Sequence, residues 1–355
     1  MSKILKVGSL AFVSVAIAVT AAVSFFGYQL LKSSVSKNKT EIVFSVDPGA
    51  NLAHIASQLQ SQGLIRNSKT FQIYAKIQGL ASKFKVGEYS LNQAMTPDEI
   101  MTVIVSGKSI TRNLTIAEGL NLFDIAQIFE KNNIGTQEEF FNLVHDKQFI
   151  KSLLDENLTS LEGYLFPETY KITKFEGTKS ILTQMVSRFT VVWKEIEPEA
   201  RKMGWTRKQI IIFASIIEKE TGASFERPLV SSVFHNRLIK KMRLQTDPTV
   251  LYGMAINQGK MPGNITKTDL LTPTAYNTYT NAGLPPTPIA NPGKEALLAT
   301  INPANSKYLF FVSKNNGTHV FSENLQQHNK AVQEFQMNAK ARENKSWKDL
   351  KQTKK

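Results

Sequence analysis

The segment 207–221 ends in two acids that face different surroundings. Phe213, Ile216 and Ile217 make an apolar stripe at helical spacing, and Glu220 extends it at i+7, i+4 and i+3. Glu218 lies two residues back, about 200° around the helix, and so faces elsewhere. A carboxyl group ending an apolar stripe is poorly hydrated, which favours its neutral form and raises its pKa. A general acid working near neutral pH needs that property. Gly222 then stops the helix and leaves Glu220 at an edge where a cleft could open. The plainer reading is an amphipathic helix with two ordinary carboxylates at its exposed end, and spacing alone favours it.

Downstream come Leu244-Gln-Thr-Asp-Pro-Thr-Val-Leu-Tyr-Gly-Met254 and Thr272-Pro-Thr-Ala-Tyr-Asn-Thr-Tyr279. Hydroxyl and amide side chains interleaved with Tyr suit a sugar, which offers many hydroxyls to pair and apolar ring faces to stack. A Pro-stiffened loop whose Asn and Thr satisfy its own backbone would read the same way.

These residues need elements to hold them. Helical patterns run over Gln137–Leu143, Thr178–Ile196 and 207–221, with the aromatic and acidic loop Glu162–Tyr170 between the first two. Residues 245–292 are poor in helix formers and read as one long functional loop region. Helix Gly293–Ile301, strands Tyr308–Ser313 and Thr318–Phe321, and helix Asn324–Gln336 follow. Further upstream, Val46–Ala56 and Ile116–Ala126 resemble each other at an offset of 70 residues: a β-rich segment, a Gly turn, then Asn and a helix. Any strand–turn–helix unit looks this way, but the first copy also resembles a LysM-type glycan-binding module. Between the copies, Phe84–Leu91 reads as a strand and Pro97–Val105 as a short helix ending at Gly107.

The chain has 355 residues and a formal charge of +14, unevenly spread. Residues 1–40 hold five Lys and no acid, and residues 336–355 hold seven basic and two acidic residues, so the ends carry +10. A nucleic-acid-binding domain would concentrate basic charge in its folded body, so no nucleic-acid partner is expected. The absence of Cys removes disulfides, thiolate nucleophiles and Cys-based metal sites. Five His without HExxH or HxH spacing argue against a zinc hydrolase, and neither metal nor cofactor is expected. Residues 7–31 are uncharged and apolar, long enough to cross a hydrocarbon core of about 30 Å and longer than the usual signal-peptide core. The expectation is a single N-terminal transmembrane helix with residues 1–6 in the cytoplasm and the body exported. Lysines on both flanks leave the orientation to the short tail.

EKET at 218–221, ER at 226–227, NRL at 236–238, LQTDPTVLYGM at 244–254, TPTAYNTYTNAGLPP at 272–286 and PIANPG at 288–293 resemble the YceG-like endolytic murein transglycosylases. LEGYLFPETY at 161–170 and HNK at 328–330 fit as well, and the likeness runs over roughly residues 42–335 in family order. The fold it implies is α+β: the anchor at 7–31, a LysM-like module at 42–112, a mixed α/β catalytic domain at 113–335 and a basic, disordered tail at 336–355.

The chemistry it implies is cleavage of the MurNAc-β-1,4-GlcNAc bond within peptidoglycan strands, without water, leaving a 1,6-anhydro-MurNAc end. The implied setting is the cytoplasmic (inner) membrane, beside cell-wall synthases that the enzyme partners in terminating nascent strands. One carboxyl group serves this reaction, first as acid and then as base, whereas a hydrolase normally needs a second carboxylate. The nearest such candidate is Asp247, with Glu168 behind it. In lytic transglycosylases generally the catalytic Glu precedes Ser, a pair that Glu220-Thr221 resembles, so Glu220 is the expected catalytic residue and Glu218 its alternative. Gln245, Asp247, Tyr252, Thr274, Tyr276, Asn277, Thr278 and Glu168 are the expected substrate-binding residues. A non-catalytic peptidoglycan-binding scaffold and a muramidase-type hydrolase are the rival readings.

Overall fold

The computed structural model describes residues 31–154, 156–220 and 222–337, together with residues 17, 20, 25 and 27–29. Most of the expected anchor, the tail before it and residues 338–355 lie outside the described residues. No helix among the described residues is long and apolar enough to cross a membrane. Among the described residues the fold is mixed α and β, about half helical, with three two-stranded sheets. It divides into two compact units, one reaching Asn113 and including Lys171–Glu176, the other spanning Leu114–Tyr170 and the chain from Gly177 onward.

In the first unit β1 (Ile42–Val46) pairs antiparallel with β2 (Gly87–Leu91), in register from Ile42 against Leu91 to Val46 against Gly87. Alternation turns Phe44, Val46, Tyr89 and Leu91 to one face of this sheet, where they are buried, while Val43 is exposed. Helices α1 (Leu52–Ser61), α2 (Ser68–Ile77) and α3 (Pro97–Ser106) complete the core with Ile55, Leu59, Phe71, Ile100 and Ile104. Asn51 and Asn67 cap α1 and α2, and Thr96 with Glu99 forms a reciprocal capping box on α3.

The second unit begins at Leu114, inside a strand that starts the repeat of that beginning. Strand β3 (Arg112–Thr115), which pairs with β4 (Thr169–Ile172), leads through Gly119 at φ 76° and the cap Asn121 into α4 (Leu122–Lys131). The first copy uses Gly49 at φ 81° and Asn51 in the same places. Then follow α5 (Gln137–His145), α6 (Lys147–Leu154), α7 (Thr178–Ala200), α8 (Arg207–Glu220), α9 (Arg227–Ile239), α10 (Asp247–Gln258), α11 (Lys267–Leu271) and α12 (Lys294–Ile301). The hairpin β5 (Phe310–Ser313) and β6 (His319–Ser322) and the helix α13 (Leu325–Val332) close it. Helix α8 is the centre: every residue from Ile210 to Ile217 is buried, and α9, α10 and α12 pack around it.

Two features depart from the sequence reading. Residues 245–292 are no continuous loop, because α10 and α11 lie within them. Helix α10 buries Thr249, Val250, Tyr252, Gly253 and Ala255, a small and polar face that gives no apolar stripe to detect. Helix α9 likewise gives no apolar stripe, since Arg227, Ser231, Ser232 and Arg237 are buried beside Val230, Val233 and Phe234. At the far end, α13 continues as a π-helical turn over Gln333–Met337, and the Gln336 amide donates to Ser313 O at 2.8 Å.

The turn at Glu162–Tyr164 shows how tightly this unit closes. Gly163 adopts φ 87°, and a Cβ there would stand 2.6 Å from the Pro288 ring and 2.7 Å from Ile211 Cγ2. Gly163→Ala combines a left-handed backbone with overpacking and should cost roughly 2–4 kcal/mol of stability. Urea unfolding measures this, and a loss under about 1 kcal/mol would show that the turn relaxes.

Candidate active site

Because α8 is enclosed on all sides, the two acids of its last turn meet different environments. Glu218 is turned inward, with a side chain only 5% exposed. Its Oε1 accepts from Arg227 Nη2 at 3.1 Å and its Oε2 from the Gly293 N–H at 3.0 Å. Burial pushes its pKa up, against the pull of the Gly293 N–H and Arg227. A Cβ at Gly293 would run into the Glu118 carboxyl, so a side chain there requires the half-exposed Glu118 side chain to swing aside.

Glu220 lines a cleft of about 480 Å³. Phe234 and Arg237 of α9, and Leu244, Gln245 and Asp247 ahead of and at the start of α10, line it as well. Tyr279, Phe310 and Phe311 continue the wall, with Leu325, His328 and Asn329 of α13. The Thr246 hydroxyl donates to Glu220 Oε1. Burial pushes the Glu220 pKa up to about 7; the Thr246 hydrogen bond and the Arg237 charge oppose the rise, and the Asp247 charge adds to it. Asp247 is exposed and accepts from the Tyr279 hydroxyl at 2.6 Å.

The walls are tied by Arg237, whose Nε donates to Leu309 O and whose Nη1 donates to Leu244 O, both at 2.7 Å. Its guanidinium lies 5.2 Å from the Phe310 ring centre, and His328 stacks on the same ring at 5.1 Å. Burial and the Arg237 charge hold the His328 pKa below its ordinary value, so this imidazole is neutral at neutral pH.

Of the residues expected from sequence, the structure brings Glu220, Gln245 and Asp247 together in the cleft. The others lie outside its lining and hold loops. Tyr252 is buried and donates to Glu162 Oε2 at 2.8 Å. Tyr276 pairs with the Thr287 hydroxyl, and Thr274 accepts the Asn277 N–H. Asn277 is fully buried, giving its amide hydrogens to the carbonyls of Asp269, Leu270 and Thr272. Thr278 braces the turn before α10 by accepting from the Thr246 N–H at 3.0 Å. Glu168 pairs with Arg188 at 2.6 Å. Arg237, Tyr279 and His328 join the cleft without being among the residues expected there, although all three stand inside sequence motifs: NRL, the Thr272–Tyr279 run and HNK.

A second acid, Glu162, is wholly buried. Its oxygens meet the Leu122 N–H at 3.0 Å, the Tyr252 hydroxyl and the Asn291 amide at 3.1 Å, and burial pushes its pKa up to about 8. Among the described residues no group of three or more His, Asp or Glu is placed to hold a metal ion.

The model of the YceG-like family matches residues 44–334. An endolytic murein transglycosylase of Bacillus subtilis (strain 168) is 34% identical over 325 residues, covering 87% of this chain and 89% of that protein. One of Streptococcus pneumoniae serotype 2 (strain D39) is 28% identical over an alignment of 354 residues, which covers 90% of this chain and 63% of that longer protein. The crystal structure of a yceG-like protein from Listeria monocytogenes, at 2.6 Å, superposes with a TM-score of 0.57 at 32% identity, over 83% of this chain and 100% of that one.

The two acids of α8 should differ in their effect on stability. Folding lifts the Glu220 pKa from 4.5 to about 7, so between those values the native state holds a proton that the unfolded chain releases. Stability therefore falls as pH rises through that window, and Glu220→Gln removes the fall. That variant should gain on wild type between pH 5 and pH 8 in urea unfolding. Glu218→Gln weakens the pairing of the buried Arg227, which keeps its longer contact to Glu118 at 3.4 Å, and should lose roughly 1–3 kcal/mol near neutral pH.

Proposed function

The chain belongs to the YceG-like family, and on that premise we propose that it is an endolytic murein transglycosylase, a lyase that cuts the MurNAc-β-1,4-GlcNAc bond inside glycan strands. The observation that carries this reading is one carboxyl group, Glu220, raised to about 7 by burial and opening on a cleft with room for sugar. Near neutral pH such a group is populated in both protonation states, which suits an acid that must become a base. In the first step Glu220 protonates the glycosidic oxygen as its bond to C1 breaks. In the second, the carboxylate takes the proton from the C6 hydroxyl as that oxygen closes on C1. The nucleophile is already part of the bound sugar, so it costs less entropy to position than a water molecule. Asp247 supports the first step as a like charge that keeps the Glu220 proton in place.

Around this centre we read residues 7–31 as a single-pass anchor in the cytoplasmic membrane, with the body in the periplasm or extracytoplasmic space. The first unit, with its own core, is read as a LysM-like module that holds glycan. Cell-wall synthases are the expected partners, and termination of nascent strands the expected role. The uncharged run with its basic flanks and the strand–Gly turn–helix pattern support these readings.

Mass analysis of muropeptides released from purified peptidoglycan tests the reaction. The muramyl end should be one water lighter than a hydrolysed end and lack a reducing group, and long strands should fragment first. A reducing end carrying oxygen from labelled water would make the enzyme a hydrolase, and no release at all would favour a binding scaffold. Glu220→Gln should lose about 10²–10⁴ in rate while still binding glycan. For topology, a reporter fused after Lys355 should be active only outside the cytoplasm.

A further inference from the structure

Thr246 stands where a helix cap belongs and does not cap. It is the residue before α10, with extended backbone at φ −117° and ψ 122° and no side-chain bond to the helix. Elsewhere in the described chain Thr at this position behaves in the ordinary way: Thr96, Thr136, Thr206 and Thr266 each accept from the backbone N–H three residues on, at 3.1–3.3 Å. At α10 the corresponding hydroxyl is turned aside and donates to Glu220 Oε1 instead.

A second local anomaly precedes it. Gln245 sits at φ 50°, a left-handed conformation uncommon for a residue other than Gly, and its neighbours hold it there. The enforcement comes from Thr278, which accepts the Gln245 N–H on its carbonyl at 3.2 Å and the Thr246 N–H on its hydroxyl at 3.0 Å. Thr249 in turn meets the Thr278 hydroxyl at 2.8 Å and donates to the Thr246 carbonyl at 2.7 Å. All three threonines are buried, at 2% exposure or less. Two departures from local preference, in adjacent residues, thus have one joint effect: they aim a single hydroxyl at the acid. Such departures in a well-packed structure mark functional positions.

We propose that Thr246 is a positioning residue for Glu220, fixing Oε1 so that Oε2 is the oxygen that gives and retakes the proton. This rests on the reading of Glu220 as the transglycosylase acid. With Oε1 occupied by a donor, the proton of the acid form resides on Oε2. It passes to the glycosidic oxygen, which leaves C1 with the bonding pair. The C6 oxygen then bonds to C1, and its proton returns to Oε2, so the enzyme ends as it began. The Thr246 donor is unaffected by either transfer and stabilises the carboxylate between them. The other groups facing Glu220 differ in kind: Arg237 of α9 and Asp247 of α10 act through charge, and Tyr279 donates to Asp247 rather than to the acid. His328, across the cleft on α13, is neutral.

The test compares Thr246→Val, Thr246→Ser and Glu220→Gln in the full chain, following turnover, thermal unfolding and the NMR titration of the Glu220 side-chain carboxyl carbon. Thr246→Val keeps the shape and removes the donor. It should move the Glu220 midpoint upward by about one pH unit. It should also lower kcat about tenfold or more with KM within about twofold. The unfolding temperature should be unchanged at pH 5, where folded Glu220 is protonated in both proteins and no cap is lost. Thr246→Ser should restore most of the rate and the midpoint. If Thr246→Val does not fold, Thr246→Ala provides the same readings. A donor-free variant that titrates and turns over like wild type while Glu220→Gln is dead would overturn the role of Thr246 and leave the enzyme reading intact. A rate loss matched by a drop in unfolding temperature, with no movement of the midpoint, would make Thr246 a structural residue and also overturn it. An active Glu220→Gln would overturn both readings.

Discussion

Helix α8 is buried on every side from Ile210 to Ile217, and two carboxylates follow it within one turn. An ionised acid cannot remain in such surroundings without a partner, and no single environment can serve both. The two are therefore separated. Glu218 receives a guanidinium and a backbone N–H, while Glu220 receives one hydroxyl and a cleft. The arrangement of α9, α10 and α12 follows from this division, because each supplies a group at the end of α8: Arg227, Thr246 at the α10 N-terminus, and Gly293 at the α12 N-terminus.

A domain built from so many loops must satisfy their backbone groups, and buried amides do so here. Asn291 accepts the Leu165 N–H and donates to Leu120 O and Glu162 Oε1, joining three segments far apart in sequence. Asn277 gathers three carbonyls at the C-terminal end of α11 and accepts the Tyr279 N–H. That second hub sets the backbone from which Tyr279 reaches Asp247. Polar residues that look suited to a sugar thus hold the scaffold, and their neighbours face the cleft.

The far wall of the cleft comes from the C-terminal elements. Arg237 bonds the carbonyls of Leu244 and Leu309, so the strand β5 cannot move independently of the turn beside Glu220. Glu226 adds a second tie, accepting from the His319 N–H at 3.0 Å and from its ring Nδ1 at 2.7 Å, which holds β6 to the segment following the acid. Hydrogen bonds to charged groups are among the stronger individual ties in a fold, and here they hold the β5–β6 hairpin to α9 and the segment before it.

Periodicity and turn chemistry were enough to place many elements. The strand–Gly–Asn–helix repeat, the capped α3, the long α7 and the hairpin near the C-terminus all follow from local preference, which acts over a few residues and is written in them. The separation of Glu218 from Glu220 was also legible, because two residues along a helix is a rotation of about 200°. Local signals failed where burial is polar. Helices α9 and α10 hide Arg, Ser, Thr and Gly on their inner faces, and no apolar stripe reports them. The sugar-facing set could not be drawn from residue type either, since an Asn that binds carbonyls and an Asn that binds a hydroxyl are the same residue until the chain folds around it. Only tertiary structure decided that Thr246 serves the acid rather than its own helix. A cap is a contact between neighbours in sequence, whereas this hydroxyl answers to a carboxylate 26 residues away.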